Sequence, residues 1–308
     1  VGGVAPPALV PRSGGRASGP VRRASAHGAP GDFARRLERA GAIEPSEPIR
    51  APLALLVDVL EHQLERASST EVVGAVGRVA EAVATNRLLD RFPLLHLEAA
   101  IEALCGEIER AADRLGASPA TPAPLEEAGR ALGAGARREA VQTWLDDPSL
   151  LDPRTSFWIA VAAAPILEGA AANLEPPSKA EWSSSACPAC GGPPQVSVIE
   201  ERSGEFMVGA PRQLVCSRCA LWWSFARATC PWCGEDNSKK LSGFASEQAP
   251  YARIDVCDTC RAYMKTFDLR EPGGKDVVPL VDDVATLTLD VWAHEQGLGR
   301  PSLSLAGV

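Results

Sequence analysis

Cys187-Pro-Ala-Cys190-Gly191, Cys216-Ser-Arg-Cys219, Cys230-Pro-Trp-Cys233-Gly234 and Cys257-Asp-Thr-Cys260 are four C-x-x-C pairs, and they hold eight of the nine cysteines in the chain. Two thiolates at this spacing grip one tetrahedral metal ion from a single tight turn, and a second such turn completes a four-sulfur shell. Four turns therefore predict two sites. The interval from Cys190 to Cys216 is 25 residues and that from Cys233 to Cys257 is 23, so one unit is written twice. Each half begins Cys-Pro-x-Cys-Gly. Each also places an arginine four residues before its third cysteine (Arg212, Arg253), a valine just before it (Val215, Val256) and an aromatic three residues after its fourth (Trp222, Tyr263).

The spelling of the turns suits metal. Proline fixes the backbone on entry, and glycine after the second cysteine permits a positive φ, so that backbone N–H groups can point at the thiolates. Gln195 to Ile199 and Arg212 to Val215 are β-prone and predict a hairpin that carries one turn to the next. The expected ligand sets are Cys187, Cys190, Cys216 and Cys219, then Cys230, Cys233, Cys257 and Cys260, although spacing alone leaves an interleaved pairing open. Cys230-Pro-Trp-Cys233 taken alone resembles a redox dithiol, but four pairs at repeat spacing favour metal. Four sulfurs leave no open position for substrate, which predicts structural rather than catalytic ions. Iron and zinc both accept this shell.

Outward from the cysteines the chain is helical on one side. Residues 1–31 are rich in Gly, Ala, Pro, Ser and Arg and predict a disordered tail, with no function assigned to its arginines. From Asp32, which can cap a short helix ending at Gly41, to about 178 the pattern predicts a domain of five or so helices, interrupted by a linker at Pro45, Pro48 and Pro52. Leu53, Leu56, Leu60 and Leu64 share one helical face. Val72, Val76, Val79 and Val83 form a second stripe, and Leu97, Ile101, Leu104, Ile108 and Leu115 a third. After Pro119, Pro122 and Pro124 one more helix is expected up to Trp144 and Leu145. The run from Phe157 to Leu174 contains Pro165 and Glu168 and is too short and alanine-rich for a membrane span, so it predicts a buried helix. His62 and His96 stand alone and Cys105 falls on the apolar stripe, so all three are expected to be structural. Beyond the cysteines, Asp282 and Asp283 lead into an amphipathic helix through Val284, Leu287, Val291 and Trp292 that stops at Gly297. The expected architecture is multidomain: a tail (1–31), an all-α domain (32–178), two rubredoxin-like or zinc-ribbon modules of small β type (183–226 and 227–272), and a C-terminal helix with its tail (276–308).

The formal charge of -8 argues against a protein that grips nucleic acid. From 183 to 270 there are ten basic and nine acidic residues, and two four-thiolate sites each add -2, so the loaded ribbons are near neutral or slightly negative. Trp222, Trp223 and Trp232 suit a protein interface better. Cysteines confined to close pairs, with no secretory leader pattern at the start, fit a reducing cytoplasm.

The motifs CPACG, RQLVCSRC with Trp223 and Arg227 before CPWCG, SEQA (Ser246 to Ala249), VCDTC with Tyr263 and Lys265, and VDDVATLTLD (Val281 to Asp290) with Glu295, Gly297 and Arg300 resemble the formate dehydrogenase accessory protein family FdhE. The resemblance is clearest from Phe157 to about Arg300. It implies a cytoplasmic, non-catalytic maturation factor with two rubredoxin-like sites. Such a factor binds the catalytic subunit of a molybdenum- or tungsten-dependent formate dehydrogenase during assembly. Trp223, Arg227, Tyr263 and Lys265 are then expected at the partner-binding surface. Arg261 stands where the family tends to have glycine, Leu298 replaces a tyrosine, and the SLSLAGV ending differs. The rival readings are a rubredoxin-like electron carrier and a zinc-ribbon nucleic-acid binder. The oligomeric state stays open, a homo-oligomer included.

Overall fold

The computed structural model describes residues 9–11, 28–85, 100–200 and 212–302. Among the described residues seven helices occupy the first part: α1 (Phe33–Ala42), α2 (Arg50–Ala67), α3 (Thr70–Thr85), α4 (Ile101–Gly116), α5 (Ala123–Ala131), α6 (Ala134–Asp146) and α7 (Pro153–Ala171). Against the five or so expected, six helices correspond to the stretches read above, and a seventh arises because the run after Pro124 breaks at Leu132 and Gly133 into two helices. The Asp32 carboxylate accepts from the Arg35 N–H and starts α1, as the sequence predicts. Gly41 is not the exit, since the helix runs through it and ends at an extended Ile43. Pro52 lies in the first turn of α2, where its missing N–H costs nothing, rather than in a linker.

The sequence stripes face inward. Leu53, Leu56, Leu60, Val72, Val79, Ile101, Leu104, Ile108 and Leu115 are buried, Val76 is half-buried and Leu64 is exposed. Leu97, His96 and the side chain of Val83 lie outside the described residues. Cys105 is half-buried, and its thiol is pushed up by burial. The run once comparable to a membrane span is the buried α7, which packs against α2, α3, α4, α5 and α6. Its Trp158 donates to the Leu125 carbonyl at 2.9 Å and lies so close to Gly129 that a methyl group there would be 2.8 Å from the ring. Its Glu168 accepts two hydrogen bonds from Arg36, at 2.8 and 2.7 Å, which tie α1 to α7 through a buried ion pair. Among the described residues no helix is long and apolar enough to cross a membrane.

The second part is one seven-stranded sheet in the order β1-β5-β6-β7-β2-β3-β4. Its strands are β1 (Leu9–Pro11), β2 (Pro194–Ile199), β3 (Arg212–Cys216), β4 (Trp222–Phe225), β5 (Leu241–Ser246), β6 (Ala252–Cys257) and β7 (Tyr263–Asp268). Each ribbon is a three-stranded antiparallel meander, and the expected hairpin appears with Ser197 opposite Leu214. The two meanders are not independent modules. They join through a parallel pairing of β2 with β7, Ser197 opposite Thr266. Leu9–Pro11 adds an edge strand to β5, so this part of the expected tail is ordered, as are residues 28–31, which lead into α1. The rest of that tail lies outside the described residues.

One sheet face packs on α8 (Pro279–Ala285) and α9 (Leu287–Glu295) through Val196, Val198, Ile254, Phe267, Leu289 and Ala293. The expected single C-terminal helix is thus two, broken at Thr286, whose hydroxyl donates to the Asp282 carbonyl. Gly297, at φ +68°, stops α9 as predicted. On the opposite face Leu214, Trp223, Phe225 and Met264 run into the helical core without a boundary. The first ribbon and the helices therefore share one core.

Candidate metal centres

The two C-x-x-C turns of each meander converge. The sulfurs of Cys187, Cys190, Cys216 and Cys219 lie within 4.8 Å of one another, as do those of Cys230, Cys233, Cys257 and Cys260. The sequential pairing holds and the interleaved one does not. Across the turns, Cys187 to Cys219 is 3.6 Å, Cys190 to Cys216 is 3.4 Å, Cys230 to Cys260 is 3.8 Å and Cys233 to Cys257 is 3.6 Å. A tetrahedral ion with metal–sulfur bonds of about 2.3 Å needs edges of roughly 3.8 Å, so both donor sets fit iron or zinc. When bound, such an ion supplies closure: it crosslinks two turns and has no position left for substrate.

Local backbone explains how the turns form. Gly191 and Gly234, each following the second cysteine of its turn, take φ +68° and +77° as the sequence predicts. Ala220 and Arg261 do the same after the fourth cysteine, at +54° and +57°, without being glycine. The amides of Arg218 and Trp232 donate to the Cys216 and Cys230 sulfurs at 3.3 and 3.4 Å. Within each cluster the thiols titrate apart. Burial and the neighbouring sulfurs drive Cys187 and Cys219 well above an ordinary thiol. Burial also opposes the Cys216 thiolate, but hydrogen bonds from Cys187, Cys190 and Cys219 outweigh it and hold it well below. In the second cluster burial pushes Cys260 up to about 12. Cys257 is lowered: burial opposes its thiolate, but the backbone N–H groups of Cys260 and Thr259 outweigh it.

The clusters differ in surroundings. All four cysteines of the first are buried and belong to the helical core, whereas Cys233 and Cys260 of the second are exposed. Arg218, inside the first cluster's second turn, stacks on Trp144 at 4.5 Å and donates to the Trp144 and Leu145 carbonyls at 2.7 and 3.3 Å. The second cluster is strapped by Glu235, which accepts from the Thr259 hydroxyl at 2.5 Å, and by the Asp258 amide on the Lys240 carbonyl.

The four residues expected at a partner surface are dispersed. Arg227 is exposed. Trp223 is buried, with its indole N–H on the Ser184 carbonyl. Tyr263 and Lys265 are fully buried because β7 faces α9 there. Lys265 Nζ lies 2.8 Å from Asp283 and 2.5 Å from Asp290, Tyr263 donates to Asp290 at 2.8 Å, and Arg300 reaches both carboxylates. Burial alone would raise the Asp283 carboxyl, but Arg300 and Lys265 outweigh it and hold it at about 2. Gln195 joins this network by donating to Asp283. Of the tryptophans read as exposed, Trp222 is buried and Trp232 half-buried. The sequence reading gave this charge network no role. Its signal was a lysine at a core-facing position of a strand, with two aspartates seven residues apart.

Residues 228–306 match the family model described as FdhE, C-terminal domain. Curated relatives include an FdhE homolog of Aquifex aeolicus, 40% identical over 126 residues, or 41% of this chain and 43% of that protein. Those of Shewanella oneidensis and Pseudomonas aeruginosa are each 36% identical, over 38% and 39% of this chain and 37% and 39% of the respective relatives. The matched sequence thus spans about two fifths of these relatives. The crystal structure of the FdhE protein from Pseudomonas aeruginosa superposes with a TM-score of 0.66 at 24% identity, covering 92% of this chain and 98% of that one. The chain is therefore similar to the FdhE proteins, in sequence through its C-terminal part and in fold over nearly its whole length.

Proposed function

We propose that this protein is a non-catalytic accessory factor that binds the catalytic subunit of a molybdenum- or tungsten-dependent formate dehydrogenase while that subunit is assembled in the cytoplasm. The observation that carries the reading is the pair of four-sulfur clusters, each closed to substrate, on a fold shared with an FdhE protein. Eight cysteines are spent on shape. Two tetrahedral ions, iron or zinc, hold the sheet that joins helices to ribbons. Of the residues first expected at the partner surface, Arg227 alone keeps that role. Trp223, Tyr263 and Lys265 act from beneath the surface by setting the sheet.

The test is retention of a formate dehydrogenase catalytic subunit on tagged protein purified without air. Co-purification of that subunit, with loss of formate oxidation on deletion, is the expected result. Neither effect would occur if the reading were wrong. A second reading, electron transfer through an iron form of the second cluster, is favoured by one feature, the exposure of Cys233 and Cys260. A colourless protein with no reversible redox transition would exclude it.

A further inference from the structure

The sheet face that packs on the helices changes character along its strands. Residues directly opposite or two apart on strands share a face. Ser197 pairs with Thr266, Thr266 with Arg253, Ile199 with Arg212, and Arg212 with Phe225. Asp255 and Asp268 lie two residues from Arg253 and Thr266, and Arg227 lies two beyond Phe225, past the end of β4. One half of this face is apolar and buried against the bundle. The other carries four arginines, 212, 227, 253 and 270, with two aspartates.

The two carboxylates are already committed. Asp255 accepts from Arg253 at 2.8 Å and from the Thr266 hydroxyl at 2.6 Å, and Asp268 accepts two bonds from Arg270 at 2.8 and 2.7 Å. Arg212, with its side chain only 4% exposed, makes its hydrogen bonds to neutral partners, the Thr229 carbonyl at 3.2 Å and the Met264 sulfur at 3.6 Å. Its ion pair with Asp255 is a loose one, at 3.9 Å, and its Nε has no hydrogen-bond partner among the described residues. Arg227 forms no ion pair among the described residues, and burial, then Arg270 and Arg253, act against its charge more than Asp268 and Asp255 favour it. Burial opposes the Arg212 charge more than Asp255 and, less strongly, Cys230 offset it, so its pKa is lowered. Two guanidinium groups thus remain in excess, one buried with an open donor and one at the mouth. A buried cation without full compensation is costly, and guanidinium forks match oxyanions of the phosphate and carboxylate type.

We propose that this end of the sheet face is an oxyanion-binding site, built by Arg212 and Arg227 and held in shape by the Arg253–Asp255 and Arg270–Asp268 pairs, for a ligand carrying two negative charges. Free phosphate and an acidic segment of a partner protein share this chemistry. The site stands whether or not the protein serves formate dehydrogenase, because the test uses neither that enzyme nor formate.

Metal-loaded full-length protein is titrated with inorganic phosphate, and separately with a hexaglutamate peptide, at constant ionic strength set by chloride. The unfolding midpoint and calorimetric heats are followed. A saturable response to either probe is expected, with affinity falling at least tenfold in Arg227→Gln, while Arg154→Gln, at the start of α7, binds like the parent. Response to phosphate identifies a free oxyanion as ligand, and response to hexaglutamate alone identifies a partner's acidic segment. Absence of a saturable response to both probes overturns the site. Unchanged affinity in Arg227→Gln, or an equal loss in Arg154→Gln, also overturns it.

Discussion

Ala220 and Arg261 hold the left-handed conformation that the metal turns require, which costs a residue with a Cβ about 1–2 kcal/mol. At Ala220 the offset is no more than the burial of one methyl group. Ala220→Gly is therefore expected to stabilise the loaded protein, by up to about 1 kcal/mol after glycine's greater freedom in the unfolded chain is subtracted. Arg261 has an offset: its guanidinium donates to the Gln296 carbonyl at 2.7 Å, at the end of α9 where a cation is favoured. Arg261→Gly should change the denaturation midpoint less than Ala220→Gly does, and a larger gain would show that this anchor contributes nothing. His62 tests a different balance. It is buried, its Nδ1 lacks a partner among the described residues, and burial lowers its pKa against the opposing pull of Glu107. The native state thus prefers neutral imidazole. Its contribution is complete above the unfolded value of about 6.5 and is lost as pH falls from there through the lower native value. Parent protein should lose stability between pH 7.5 and 5.5 and His62→Gln should lose less; equal slopes would refute this assignment.

At the scale of elements, the cysteine turns and most helices were legible because their signals are local: C-x-x-C spacing, a glycine or proline at a fixed offset, and an apolar stripe. What was not legible depends on partners far along the chain. The β2–β7 pairing that fuses two ribbons brings Ser197 to Thr266, and nothing near either residue announces it. The same holds for Lys265. Family motif and local charge suggested a contact surface, but alternation along β7 puts it on the face covered by α8 and α9, where Asp283 and Asp290 receive it. Removing one member of a buried charge network leaves its partners desolvated and uncompensated, at a cost of about 3–5 kcal/mol. Lys265→Met should therefore lower stability by about that amount, or abolish soluble expression, although methionine fills a similar volume. Lys265→Met with Asp290→Asn should recover part of the loss. A single variant within about 1 kcal/mol of the parent would mean that Lys265 does not hold β7 to the C-terminal helices.

At the scale of the molecule, duplication has produced two clusters with one chemistry and two environments. The first lies in the core shared with the helices, clamped by Arg218 on Trp144, so a reagent can reach its sulfurs only if that core opens. The second shows Cys233 and Cys260 to solvent, so local opening suffices. Opening free energies within one protein range from near zero up to the global value, and metal binding adds to the stability of whichever unit it closes. A chelator added to fully loaded protein should therefore remove the metal in two stages. The first equivalent should leave with Cys230, Cys233, Cys257 and Cys260 becoming alkylated, while helical circular dichroism is retained. The second should leave only as the helices unfold, together with alkylation of Cys187, Cys190, Cys216 and Cys219. Metal analysis and mass spectrometry on the same samples separate the stages. Simultaneous release, or release from the first cluster while the helices persist, would show that the shared core does not protect it.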